Sequence, residues 1–197
     1  MNKVEILIIS NKFDFTSDYV CLELQKRRAK YLRINRDCFS EYKVSFDSIN
    51  MELLIEIDNT KYYCSEENLK AIYYRAPIYL RDIYQPGLTK EEQLYRTQWT
   101  AFIRNLAIFE KVIWVNNPVS TFKAENKALQ LKYAKEIGFI CPPTIITNTS
   151  EIPINVEEEY VIKSLDTALL RIKDKEAFIY TNVVKGREII QSDLSLS

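Results

Sequence analysis

Residues 4–10 read VEILIIS, a short apolar run rich in β-branched side chains and the signature of a strand buried on both faces. The next 25 residues decide the fold class. Thr16, Ser17 and Asp18 offer N-caps for a helix carrying Tyr19, Val20, Leu22 and Leu24. That helix ends in the basic turn Lys26-Arg27-Arg28, where positive charge suits the helix dipole. Residues 31–35 (YLRIN) give a second short strand. Strand, helix and strand within about 35 residues make a βαβ unit, so a parallel sheet is expected.

Residues 52–57 (ELLIEI) and 61–64 flank Asp58-Asn59-Thr60, the pattern of a hairpin. Residues 71–74 (AIYY) read as another buried strand that delivers Arg75 and Pro77 at its end, before a polar, aromatic loop over 78–90. A helical pattern covers 89–109, with Leu94, Trp99, Phe102, Ile103 and Leu106 recurring on one side. Residues 112–115 (VIWV) form the next strand, closed by the turn Asn116-Asn117-Pro118. Ser120 and Thr121 can then cap a helix that runs to Glu136 and stops at Gly138. Residues 144–147 (TIIT), 160–163 (YVIK) and 177–181 (AFIYT) are expected strands, and 187–191 are a further candidate. The expected fold is α/β: an open, mostly parallel, Rossmann-like sheet over residues 1–117, then a small α+β unit over 118–197.

Two absences narrow the chemistry. The chain has no histidine, which excludes every mechanism that needs an imidazole base or ligand. Its three glycines, at 87, 138 and 186, cannot build a Walker A loop or a GxGxxG turn, so phosphates would be held by lysines and ordinary backbone. Lys plus Arg and Asp plus Glu both total 27, a balance that supplies no electrostatic footprint for a duplex or an anionic membrane. Cysteines at 21, 38, 64 and 141 lack CxxC spacing; Cys21 and Cys64 read as reduced core residues, and with no secretory signature a cytoplasmic location is expected.

The stretch 112–163 carries a resemblance. A strand ends in an Asn-Pro turn, a helix starts with Asn126-Lys127, Gly138 to Thr144 ends in Pro-Pro-Thr, and a strand ends in Lys163. This order resembles the entry to an ATP-grasp fold. YYRAP at 73–77 and SLDTALL at 164–170 are similar to the ATP-grasp peptide maturases of the graspetide, or microviridin, type. The resemblance implies a pre-ATP-grasp domain over 1–117 and the first, small ATP-grasp subdomain over 118–197. It implies ATP held by Lys127 and Lys163, each a compact ammonium facing phosphate. Ser164, Asp166 and Thr167 then occupy the place of a phosphate-covering loop, though without the glycines many relatives have there. Arg75, with Tyr74 beside it, sits at a strand end, where α/β sheets bind ligands; it can take a substrate carboxylate or phosphate, or pair within the chain to tie a loop to the sheet.

The implied reaction is a two-step ligation. The γ-phosphoryl group of ATP passes to a carboxylate, and an amine or hydroxyl then displaces phosphate from the acyl phosphate to leave an amide or ester. The implied partner is a precursor peptide. Magnesium ligands are expected beyond Ser197, with no metal-binding and no catalytic residue expected in this chain. Exposed sheet edges would allow a homodimer. The alternative reading is a free-standing, non-catalytic peptide- or protein-binding module of the same fold.

Overall fold

The computed structural model describes residues 1–75, 88–149, 151–165, 169–172, 175–178 and 180–191. Internal contacts divide the chain into two units, Met1–Glu125 and Asn126–Ser197.

The first unit contains β1 (Asn2–Lys3), β2 (Ile6–Ser10), α1 (Phe15–Lys26), β3 (Tyr31–Asn35), β4 (Lys43–Asp47), β5 (Glu52–Ile57), β6 (Thr60–Ser65), β7 (Ala71–Tyr74), α2 (Lys90–Asn105), β8 (Ile113–Val115) and α3 (Pro118–Glu125). One sheet has the order β3-β2-β7-β8, with every pair parallel, as the βαβ reading requires. β2 lies inside it, and Leu7, Ile8 and Ile9 are fully buried, which explains why its sequence shows no polar alternation. The second sheet, β1-β6-β5-β4, is antiparallel apart from the β1–β6 pair. Its β5–β6 hairpin turns at Asp58 and Asn59, both at positive φ (47° and 61°), the backbone that a two-residue type I′ turn demands. Leu32, Ile34, Leu53, Ile55, Ile72, Ile103 and Phe109 belong to one buried core.

Several local expectations are corrected by side chains that compete for backbone groups. Helix α1 starts earlier than Thr16, because Asp14 caps it by accepting from Thr16 N at 3.0 Å and Ser17 N at 3.4 Å. The pattern over 89–109 holds for α2, which opens with a Thr89–Glu92 capping box, but its end tightens into a 3-10 turn at Leu106–Ile108. The single helix expected up to Glu136 is two helices. Asn117 caps α3, so Ser120 and Thr121 lie inside it, and Asn126 caps a new helix by accepting from Leu129 N at 2.9 Å. β4 and the 3-10 turn at Arg36–Glu41 were not expected at all. Cys21 is half-exposed rather than in the core, whereas Cys64 is fully buried.

The second unit comprises α4 (Lys127–Glu136), β9 (Glu159–Ile162), β10 (Leu169–Ile172), β11 (Lys175–Phe178), β12 (Asn182–Lys185) and α5 (Gly186–Gln191). Gly138, at φ 94°, ends α4 in a Schellman arrangement: its N–H donates to Lys135 O at 3.1 Å, and Phe139 N donates to Ala134 O at 2.9 Å. β9 pairs with β12, and β10 with β11, both antiparallel. Of the strand expected over 177–181, only Ala177 and Phe178 are extended, as the end of β11; Tyr180 and Thr181 belong to no strand, and β12 starts after them at Asn182. Residues 187–191 are helical, not extended; the Glu188 carboxylate turns back to accept from Lys185 N at 2.8 Å. Residues 144–147 form no strand: they come after Pro142-Pro143 and pair with no described strand. Gly186 and Ile189 are buried, and Phe139, Ile140 and Val161 stay exposed.

Candidate nucleotide and substrate sites

In the second unit, the capping of α4 by Asn126 puts Lys127 at the first helical position, where it is half-buried. Lys163 comes directly after β9 and is exposed. From Glu159 to Leu165, odd-numbered residues are exposed and even-numbered ones half-buried, the alternation of a strand with one covered face. Val161 pairs across with Val183, each 65% exposed, so an apolar step lies beside Lys163 on the bare face of β9–β12. The next pair along this face is Glu159 with Lys185. Among the described residues neither Lys127 nor Lys163 forms an ion pair. Ser164 is half-buried beside Lys163. Thr167 and Asp166 lie outside the described residues. The structure brings Lys163, Val161 and Val183 to one surface and records no contact between Lys127 and Lys163.

In the first unit, Arg75 and Tyr74 stand where the sequence reading puts them, at the carboxyl end of β7. The Arg75 N–H donates to Ile9 O at 2.8 Å, tying it to β2. Its Nε lies 3.5 Å from Asp14 Oδ2. Tyr74 packs edge-on to Trp114, with ring centroids 6.1 Å apart, against the core. Burial raises its hydroxyl pKa, against a downward pull from Arg36 and Arg104. The neighbouring loop after β2 is held from the β3 side. Arg33 reaches the Asp18 carboxylate and donates to Asn11 O at 2.6 Å, Arg36 Nε donates to Asn11 Oδ1 at 2.7 Å, and Lys12 N donates to Asp37 Oδ1 at 2.9 Å. Sequence reasoning missed Asn11 and Asp14 as parts of this site. The usable signal was the strand order, which the sequence alone does not supply.

Among the described residues no group of three or more acidic or cysteine side chains is placed to hold a metal ion, and no helix is long and apolar enough to cross a membrane.

No family model matches the sequence, and no curated protein matches it. Solved structures do match. The macrocyclase MdnC from Microcystis aeruginosa MRC, bound with its precursor peptide MdnA, superposes with a TM-score of 0.77 at 20% identity, over 95% of this chain and 64% of that one. A Chryseobacterium gregarium RiPP-associated ATP-grasp ligase, in complex with ADP and a leader and core peptide, gives 0.71 at 22% identity, over 97% and 59%. The ATP-grasp ligase PsnB, complexed with minimal precursor, Mg and ADP, gives 0.64 at 14%, over 98% and 60%. The fold is thus the one that these peptide-modifying ATP-grasp ligases share, as the motifs over 112–163 implied. The chain spans about three fifths of the length of these structures.

Proposed function

We propose that this chain is the N-terminal part of an ATP-dependent ligase that modifies a ribosomally made precursor peptide through an acyl phosphate. The first unit serves as the pre-ATP-grasp domain, and the second contributes the first ATP-grasp subdomain. The observation that carries this reading is the bare face of β9–β12, where Lys163, exposed and without an ion pair among the described residues, lies beside the exposed Val161–Val183 pair. Apolar surface next to a cation suits a ligand with a flat base at one end and phosphates at the other. Lys127 adds a second ammonium from the α4 terminus, with Ser164 and Thr167 as further nucleotide-binding residues.

In this role the lysines neutralise phosphate charge and orient the γ-phosphoryl group toward the peptide carboxylate. Magnesium, when bound, spreads the charge that develops on the transferring group. Arg75, with Tyr74 at its side, receives the peptide.

A titration with a fluorescent ATP analogue tests the reading. Lys127→Ala and Lys163→Ala are each expected to weaken binding about tenfold or more, because each removes a charge-assisted contact. Binding is also expected to fall as salt rises. A double variant that binds nucleotide like the parent chain would count against it, as would a parent chain that binds none.

A further inference from the structure

Strand β4 is the outer strand of the sheet β1-β6-β5-β4, and among the described residues nothing pairs with its free side. β5 holds it along its whole length, and Val44 and Phe46 anchor it, half-buried against the core, with the Phe46 and Phe109 rings 6.0 Å apart. An edge strand aims every second N–H and C=O away from its sheet, where another strand can take them. Lys43, Ser45 and Asp47 lie on the opposite face and are exposed. A lysine on an edge ordinarily discourages further pairing. Its effect here depends on what comes to lie opposite it. Within the chain Lys43 meets Glu56, with Nζ 2.5 Å from Oε1. At the other end of β4, Asp47 stands opposite Glu52, and neither carboxylate forms an ion pair among the described residues. The edge thus carries a cation at one end and two adjoining carboxylates at the other.

We propose that β4 pairs with β4 of a second copy of this chain, antiparallel about a two-fold axis at Ser45, so that two four-stranded sheets join edge to edge. In this register Lys43 stands opposite the partner's Asp47, and Val44 opposite the partner's Phe46. Opposite residues share a face in an antiparallel pair, so the apolar pairs extend the two cores while the charges stay in water. The cation that the Asp47–Glu52 end lacks then comes from the second copy. Other axes lose this match. An axis at Val44 sets Asp47 against Glu41, one at Phe46 leaves Lys43 against Ile49, and one at Lys43 or Asp47 sets like charges face to face. Charge therefore selects both register and occupant, because complementarity to itself under a two-fold is the property of a contact between identical chains. Five residues of edge make a smaller contact than a standard interface, so half-association is expected at about 10–100 µM.

Sedimentation velocity over about 1–300 µM chain should show a dimer that grows with concentration. Lys43→Glu and Asp47→Lys should each weaken association about tenfold or more, since each sets like charges opposite one another twice per dimer. Mixed in equal amounts, the two variants should associate like the parent, because both facing positions again carry opposite charges. Asp47 also accepts from Ile49 N and Asn50 N, at 2.9 and 3.1 Å, so recovery in the mixture separates lost charge pairing from a lost turn contact. Ser45→Cys treated with a short bismaleimide should link two copies through position 45, as read by peptide mass mapping, whereas Lys61→Cys, on β6, should not. A parent chain that stays monomeric throughout overturns the proposal. So does a dimer that both single variants form as readily as the parent, which would place the contact on another surface. A mixture of folded variants that stays monomeric where the parent dimerises overturns it as well.

Discussion

Asp14 gives the sharpest test of the local physics at the start of α1, because two substitutions there separate its cap from its charge. Asp14→Ala removes the acceptor for Thr16 N and Ser17 N, a loss of about 1 kcal/mol for an N-cap. It also strands the hydroxyl of Ser17, which is 0% exposed and donates to Asp14 Oδ2. A buried hydroxyl left without a partner adds about 1–3 kcal/mol. The half-exposed contact to Arg75 adds at most about 1 kcal/mol and often nothing. Asp14→Ala should therefore cost about 2–4 kcal/mol. Asp14→Asn keeps the capping oxygen and offers an amide to Ser17 Oγ, so it should cost less than about 1 kcal/mol. Both tryptophans, Trp99 and Trp114, lie in the first unit, so urea denaturation monitored by their fluorescence reports on it. With a slope of about 2 kcal/mol per molar urea, the midpoint should fall by about 1–2 M for Ala and under about 0.5 M for Asn. Equal losses for the two variants would refute the reasoning, since charge and not the cap would then hold this corner.

Gly186→Ala should disrupt the second unit, because an added Cβ would meet Asn155 O at 2.1 Å; a loss of nucleotide binding without any change in tryptophan fluorescence checks this. Burial pushes the Cys64 thiol up to about 12, so a maleimide at pH 8 should label half-exposed Cys21 and Cys141 first and reach Cys64 only on unfolding, as read by peptide mass mapping. Among the described residues three carboxylates lie below their ordinary values: Glu5 through its bond from Lys70, Asp47 through the Asn50 backbone N–H, and Glu56 through its bond from Lys43. Their contribution is complete above the ordinary carboxylate range and disappears as pH falls through the lowered values. Thermal melts should thus be flat from about pH 7 to 5 and drop below about pH 4.

The parallel sheet was legible because β2 is buried on both faces and its sequence says so without ambiguity. The β5–β6 hairpin was legible because Asp58-Asn59 is turn chemistry flanked by apolar runs. Helix boundaries were less so: Asp14 and Asn117 each out-competed nearby Thr and Ser for the capping position, while the start at Asn126-Lys127 was legible through the resemblance and not through the helical pattern, which ran on across it. Residues 144–147 have strand propensity, yet β propensity records the fit to a neighbouring strand, and none of the described ones adjoins them. For the sites, Lys163 and Arg75 could be named from their places after strands. Their surroundings could not, since Val183 meets Val161 only through a pairing across 22 residues of chain, and Asp14 meets Arg75 across 61.

Whether the bare face of β9–β12 receives ATP is tested most directly by photolabelling with 8-azido-ATP. ATP-displaceable label is expected on peptides containing Val161 or Val183, and it should be lost in the Lys127→Ala Lys163→Ala variant. Label confined to the first unit, or label that unmodified ATP does not displace, would contradict ATP binding at this face.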